Sequence, residues 1–272
     1  MNTFGHGIVV QGGDEVLIED VVVVGELSTV DAVLAERSTG TDADEADFTT
    51  VWGHKLSELT ENYRFSLQED GISADRTGNI YGTDQQRDTG SITIRNCTVR
   101  FMRSGVSIGM ASGKKTVENC TTLGVENGYW VGSDATVINS RGDASVGPLF
   151  SEDVTSEGST IELTLLDDVV PKVGNTPSLY LAGDNHKLTL IDGTDVQQRN
   201  VELQVGGTRI GHRWLPGSGN EPNLDANNIS FDNQTPYPVM LGNNSRDVDV
   251  QSCGPVKDIG RSNSVSSGSN CN

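Results

Sequence analysis

Three stretches of this chain can be laid over one another: "HGIVVQGGDEVLIEDV" from His6, "SGVSIGMASGKKTVENC" from Ser104 and "NGYWVGSDATVINS" from Asn127. Each opens on a polar residue and a glycine and runs through a short alternating strand. Each then turns on Gly, Asp, Ser or Lys and closes on a second short strand near Asp or Asn. "DGISA" from Asp70 repeats the opening, "VGPLF" from Val146 repeats it loosely, and "ITIRNC" from Ile92 repeats the closing. Gly105 and Gly128 lie 23 residues apart, as do Asn96 and Asn119, and Asn139 follows 20 residues later. A period of about 20–25 residues with two or three short strands per unit is the mark of a β-solenoid. One coil cannot bury its inward face alone. Coils stacked about 4.8 Å apart build parallel sheets whose interior is filled by ladders of like residues. A leucine-rich repeat would show its own Leu/Asn spacing, and a sandwich would lack aligned glycine and asparagine phrases.

The alignment names particular ladders. Ile8, Val106 and Tyr129, each one residue past the aligned glycine, are expected to stack inward. Asn96, Asn119 and Asn139 are expected at a corner that wants a left-handed backbone, which asparagine tolerates. Cys97 and Cys120 occupy matching places in "RNCTV" and "ENCTT", so they are expected one above the other as free, inward thiols. Cys253 and Cys271 can close a disulfide that pins the C-terminal end, which would imply an oxidising compartment; spacing alone does not decide it.

The period is broken twice. Residues 27–65 form a long insertion that carries Trp52, His54 and Lys55, and residues 75–90 a shorter one with Tyr81 and Arg87. Insertions on a solenoid gather on one face and often wall a groove. Beyond Phe150 strands continue less regularly. The expected organisation is one all-β domain over residues 1–262 and a flexible Ser/Gly/Asn-rich tail over 263–272.

Charge narrows the partners. There are 38 Asp and Glu against 19 Lys and Arg, a formal net charge of −19. Such a surface repels nucleic acid and anionic lipid, so neither is an expected partner. It suits a halophilic or marine protein kept hydrated in high salt, and equally an ordinary soluble acidic one. No run of 18 apolar residues is present, and the N-terminus shows no signal-peptide pattern. No His/Cys cluster has metal-ligand spacing, although carboxylates could take Ca2+.

The phrases "HGIVVQGGDEVLIEDV", "SGVSIG…VENC" and "NGYWVGSDATVINS" resemble coils of the right-handed parallel β-helix, the pectin-lyase-like fold, well over about Phe4–Phe150 and loosely beyond. The resemblance implies a single-stranded right-handed parallel β-helix. The family includes pectate, pectin and alginate lyases, polygalacturonases and phage tailspikes. It therefore implies a polysaccharide partner and an extracellular or cell-surface setting, though no signal peptide is present. Such helices usually carry an N-terminal cap, and the first coil here begins almost at Met1, so a piece of a longer chain is expected. Oligomeric state is left open.

A lyase abstracts a proton α to a carboxyl group and needs a base, an acid and cations that neutralise the carboxylate. Cations are rare here, so the adjacent pair Lys114-Lys115 stands out. Lys115, which would bind or deprotonate a uronate, and its cationic partner Arg103 are candidate catalytic residues, with His6 as base or sugar ligand and Tyr81 as acid. Lys114, Arg87, Arg141, Asp70, His54 and Trp52 are candidate substrate contacts. Lys115 and Arg141, 26 residues apart, are expected to stack on neighbouring coils. His6, Asp70, Ser104 and Asn127 share one coil position and are expected to form a polar column along a groove. Against these stand solvated lysines on a turn, an Arg in an ordinary ion pair and a turn-capping His. The expected function is β-elimination on an alginate-like polymer. The rivals are a non-catalytic glycan-binding or structural helix of adhesin or tailspike type, and a hydrolase using paired carboxylates.

Overall fold

The computed structural model describes residues 6–29, 64–66, 70–74, 88–145, 147–152, 155–169, 177–193, 202–208 and 223–271. Among these every regular element is a strand. A first sheet stacks Ile8–Val10, Asp70–Ala74, Ser104–Ser107, Asn127–Trp130, Phe150–Ser151, Leu179–Leu181, Leu203–Val205, Val239–Leu241 and Val256–Asp258 in that order. A second stacks Gly13–Glu19, Thr89–Arg95, Lys115–Glu118, Ala135–Gly142, Thr160–Leu165, Lys187–Asp192, Ser230–Asn233, Asp249–Ser252 and Ser264–Ser267. Every neighbouring pair along these two paths is parallel. The chain visits the first sheet, then the second, and returns one place further on. This strand order is that of a β-solenoid.

Two ladders of apolar side chains run through the core. In the first sheet Ile8, Ile72, Val106, Tyr129, Phe150, Leu179, Leu203, Val239 and Val256 stand in register, so the expected Ile8–Val106–Tyr129 column is found and runs the length of the sheet. In the second, Ile18, Ile94, Val117, Val137, Ile161, Leu188, Phe231, Val250 and Val265 do the same. All but the end members are at most 8 % exposed. Each buried side chain of this size contributes about 1.5–3 kcal/mol.

The aligned glycines have a steric cause. A Cβ on Gly71 would lie 2.9 Å from the carbonyl oxygen of Gly105, and one on Gly105 would lie 2.5 Å from that of Gly128. The Val99 side chain closes on Gly71 and that of Thr122 on Gly105 as well, so only glycine leaves room between the next rung and these side chains. The asparagine corner is equally specific. Asp20, Asn96, Asn119 and Asn139 have φ of 56, 54, 53 and 48°. The Asn119 amide donates to Asn96 Oδ1 (3.4 Å), and that of Asn96 to Asp20 Oδ1 (3.1 Å). An ordinary residue would be strained by about 1–2 kcal/mol there.

This corner then ends. Between Val137 and Ser140 the Ala135–Gly142 strand carries a bulge, two of its residues spanning a single one on Thr160–Leu165. From Thr160–Leu165 onward the strands run straight through. A second left-handed column opens at the other end of the sheet, at Asp134, Gly158, Asn185, Asn228, Asp247 and Ser262.

One expectation is corrected. Residues 263–271 are not the expected free tail: Ser264–Ser267 is the last strand of the second sheet, and Cys271 is bonded to Cys253. The insertion at 27–65 opens and closes as an antiparallel ribbon of Leu27–Thr29 with Arg64–Ser66, and the rest of it lies outside the described residues. Cys97 and Cys120 are free and buried.

Candidate functional site

His6, Asp70, Ser104 and Asn127 do form a column. The Gly7 N–H donates to Asp70 O (2.8 Å), and Ser104 is in register with both Asp70 and Asn127. The column is not an open groove, however. Ser104 and Asn127 are buried, and Asn127 Oδ1 accepts from Ser151 Oγ (3.0 Å). Only His6 and Asp70 reach solvent, with His6 Nδ1 3.7 Å from Asp70 Oδ2.

Strand alternation separates the two lysines. Lys114 is exposed, whereas Lys115 faces inward between Ile92 and Ala135 and is 3 % exposed. Its Nζ donates to the carbonyls of Ala111 (2.9 Å) and Gly113 (3.3 Å), fastening the turn before its own strand. Burial pushes its pKa below the usual lysine value, partly offset by the charges of Asp134 and Glu152. Lys115 and Arg141 are not brought together. Lys115 pairs with Ala135, six residues before Arg141, and the left-handed corner at Asn139 lies between them. Arg103 is half-buried one residue before the column, and its carbonyl accepts from the N–H groups of Glu126 and Asn127.

Sequence reading missed His186. It is 1 % exposed, and its Nδ1 accepts the Ser159 N–H (3.2 Å). The proton therefore sits on Nε2, 3.1 Å from Ser156 Oγ, so this ring cannot take a proton from that serine. Burial lowers its pKa. The contact is structural.

The open site lies on the outer face of the second sheet, where the asparagine corner ends. There a groove of about 610 Å3 is lined by Asn119, Asn139, Arg141, Glu162, Thr164, Leu166, Ile191 and Gly193. The bulge creates it: Asn119 and Asn139 still turn the chain, while the next strand passes straight beneath. Arg141 stands in register with Thr121 on one side and Thr164 on the other. Its Nε donates to Thr121 Oγ1 (3.2 Å), which fixes the guanidinium at the rim. Arg141 was legible as a candidate contact. Its companions were not, because the bulge that gathers them has no signature of its own beyond Asn139.

Tyr81, Arg87, His54 and Trp52 lie outside the described residues. Among the described residues no three His, Cys, Asp or Glu side chains gather as a metal ion would require. No helix there is long and apolar enough to cross a membrane. Comparison with protein-family models and with the curated proteins gives no match.

Proposed function

We propose that this chain is a glycan-binding parallel β-helix, of the right-handed pectin-lyase-like kind that its first coils resemble, and that it holds sugar in the groove beside Arg141. One observation carries the reading: the groove pairs apolar Leu166 and Ile191 with the polar rim of Asn119, Asn139, Arg141, Glu162 and Thr164. A sugar ring has the same division, with C–H faces that shed water and hydroxyls that need donors and acceptors. The Cys253–Cys271 disulfide fits an extracellular or cell-surface setting.

Titration calorimetry with a panel of alginate, pectate and neutral glucan oligosaccharides tests this. Arg141→Ala is expected to weaken the bound glycan at least about tenfold, the loss of one charged hydrogen-bond donor. The fold should persist, because the Arg141 side chain is exposed. Binding by no member of the panel, or equal binding by the variant, rejects the site.

A second reading is a lyase acting by β-elimination on a uronate polymer, supported by the 3.7 Å approach of His6 to Asp70. His6 would be the base and Tyr81 the acid, with Arg87 and Arg103 neutralising the carboxylate. Ultraviolet-absorbing unsaturated products from alginate would establish it, and His6→Ala would abolish them. New reducing ends without that absorbance would point to a hydrolase.

A further inference from the structure

Five Asn-X-Ser/Thr triplets occur in the chain, beginning at Asn96, Asn119, Asn228, Asn233 and Asn243. The solenoid sorts them into two groups. At Asn96, Asn119 and Asn228 the asparagine is exposed at a left-handed corner, with φ of 54, 53 and 50°. The hydroxyl residue two places on, Thr98, Thr121 or Ser230, opens the following strand or lies in it and also faces outward, half-buried or exposed. At Asn233 both partners are sealed: Asn233 and Thr235 are 0 % exposed, and the Asn233 amide donates to Tyr237 O (3.1 Å) and Ser252 Oγ (2.9 Å). At Asn243 the asparagine is exposed, but Ser245 is buried and its hydroxyl donates to Gly242 O (2.8 Å).

We propose that the exposed corners are sites of N-linked glycosylation, at Asn228 and at one of Asn96 or Asn119. The acceptor triplet needs both the amide and the hydroxyl presented, and a surface position in a chain that meets an oxidising compartment. The Cys253–Cys271 disulfide is the mark of such a compartment. The corner geometry accommodates the product. A side-chain amide has two N–H groups. Within each column one of them is donated to the neighbouring rung: Asn119 to Asn96, Asn96 to Asp20, and Asn228 to Asn185 (2.6 Å). The other is left to carry the sugar. In the transfer an Nδ2–H bond breaks and an Nδ2–C1 bond forms to the sugar. The C1–O bond of a lipid-linked sugar phosphate breaks, and the lipid phosphate leaves with the electron pair while the proton passes to solvent. The ladder hydrogen bond survives.

Spacing makes the first column exclusive. Thr98 and Thr121 are register partners, so Asn96 and Asn119 stand one rung, about 4.8 Å, apart. Two branched sugars do not fit side by side at that distance. Asn228 is on a separate column. Asn119 also lines the groove beside Arg141, so a sugar there would cover it, which favours Asn96 in a protein that binds external glycan. That last preference alone rests on the proposed function.

Peptide mapping by mass spectrometry of the protein purified from the cells that make it tests the assignment. Glycopeptides are expected over Asn228 and over Asn96 or Asn119, never over both of the latter in one molecule, with Asn233 and Asn243 unmodified. Thr98→Val, Thr121→Val and Ser230→Ala together should remove all the added mass while leaving every left-handed asparagine in place, and an unchanged circular dichroism spectrum would confirm the fold. Unmodified asparagine at all three corners, or sugar on Asn233, overturns the proposal.

Discussion

Phe231→Ala is expected to destabilise the protein by about 3–5 kcal/mol, the cost of a large aromatic deletion from a packed interior. Phe231 is 1 % exposed and fills the inward ladder of the second sheet between Leu188 and Val250. Its ring touches rungs above and below, and neither can collapse into the void without pulling its sheet out of register. Leu17, 53 % exposed on the outer side of the same sheet, is the control: Leu17→Ala should change stability by less than about 0.5 kcal/mol. Chemical denaturation followed by circular dichroism checks both. In a stacked protein stability is a sum of rung and rung–rung contributions. The Phe231 variant should therefore lose its C-terminal rungs at lower denaturant than the rest, giving a broadened transition. A single wild-type-like transition would show that these rungs are not packed as described.

Reduction of Cys253–Cys271 is expected to cost about 3 kcal/mol, set by a loop of 18 residues. The effect concentrates at the C-terminal end. Ser264–Ser267 pairs with Asp249–Ser252 on one side, and all four of its residues are exposed, Val265 to 50 %. It has little apolar burial of its own, so the covalent tie supplies much of what holds it. After reduction the amides of Ser264–Ser267 should exchange with solvent far faster while those of the Thr160–Leu165 strand stay protected. Unchanged exchange at Ser264–Ser267 would refute this. Cys97 and Cys120 serve as an internal reference. Both are buried, and burial holds the Cys120 thiol up to about 12, so neither should react with thiol reagents in the folded protein.

The parts of the fold legible in the sequence were those where one residue type answers one backbone demand. Glycine at Gly71 and Gly105 answers the close approach of neighbouring rungs. Asparagine at Asn96, Asn119 and Asn139 answers a left-handed corner. Such demands recur at the same place on each coil and survive as aligned letters. The second corner column was not legible. Asp134, Gly158, Asn185, Asn228, Asp247 and Ser262 share one conformation but four residue types, at intervals stretched by excursions of unequal length. The Ser264–Ser267 strand was hidden by its composition: Ser and Asn read as a tail until a partner strand and a disulfide give their backbone somewhere to pair. At the candidate sites, counting residues between Lys115 and Arg141 implied neighbours. Yet the step from the Lys115–Glu118 strand to the next is 20 residues, so Ala135 takes that place. That small error in period leaves Arg141 six residues further on, past the corner at Asn139. The inward turn of Lys115 follows from simple alternation with buried Val117, but a lysine facing a core is rare enough that the letters alone argue for solvent.

The central claim is that sequence distance becomes rung number. Leu17, Thr93, Thr116, Thr136, Thr160, Lys187, Ser230, Asp249 and Ser264 form one register column on the second sheet. Spin labels at Leu17, Lys187 and Ser264, read by pulsed electron–electron resonance, measure it directly. Five steps separate the first two and eight the first and last, so the expected distances are about 24 Å and about 38 Å. A Leu17–Ser264 distance no longer than Leu17–Lys187 would mean that the rungs do not stack in this order, and the groove at Arg141 would lose its foundation.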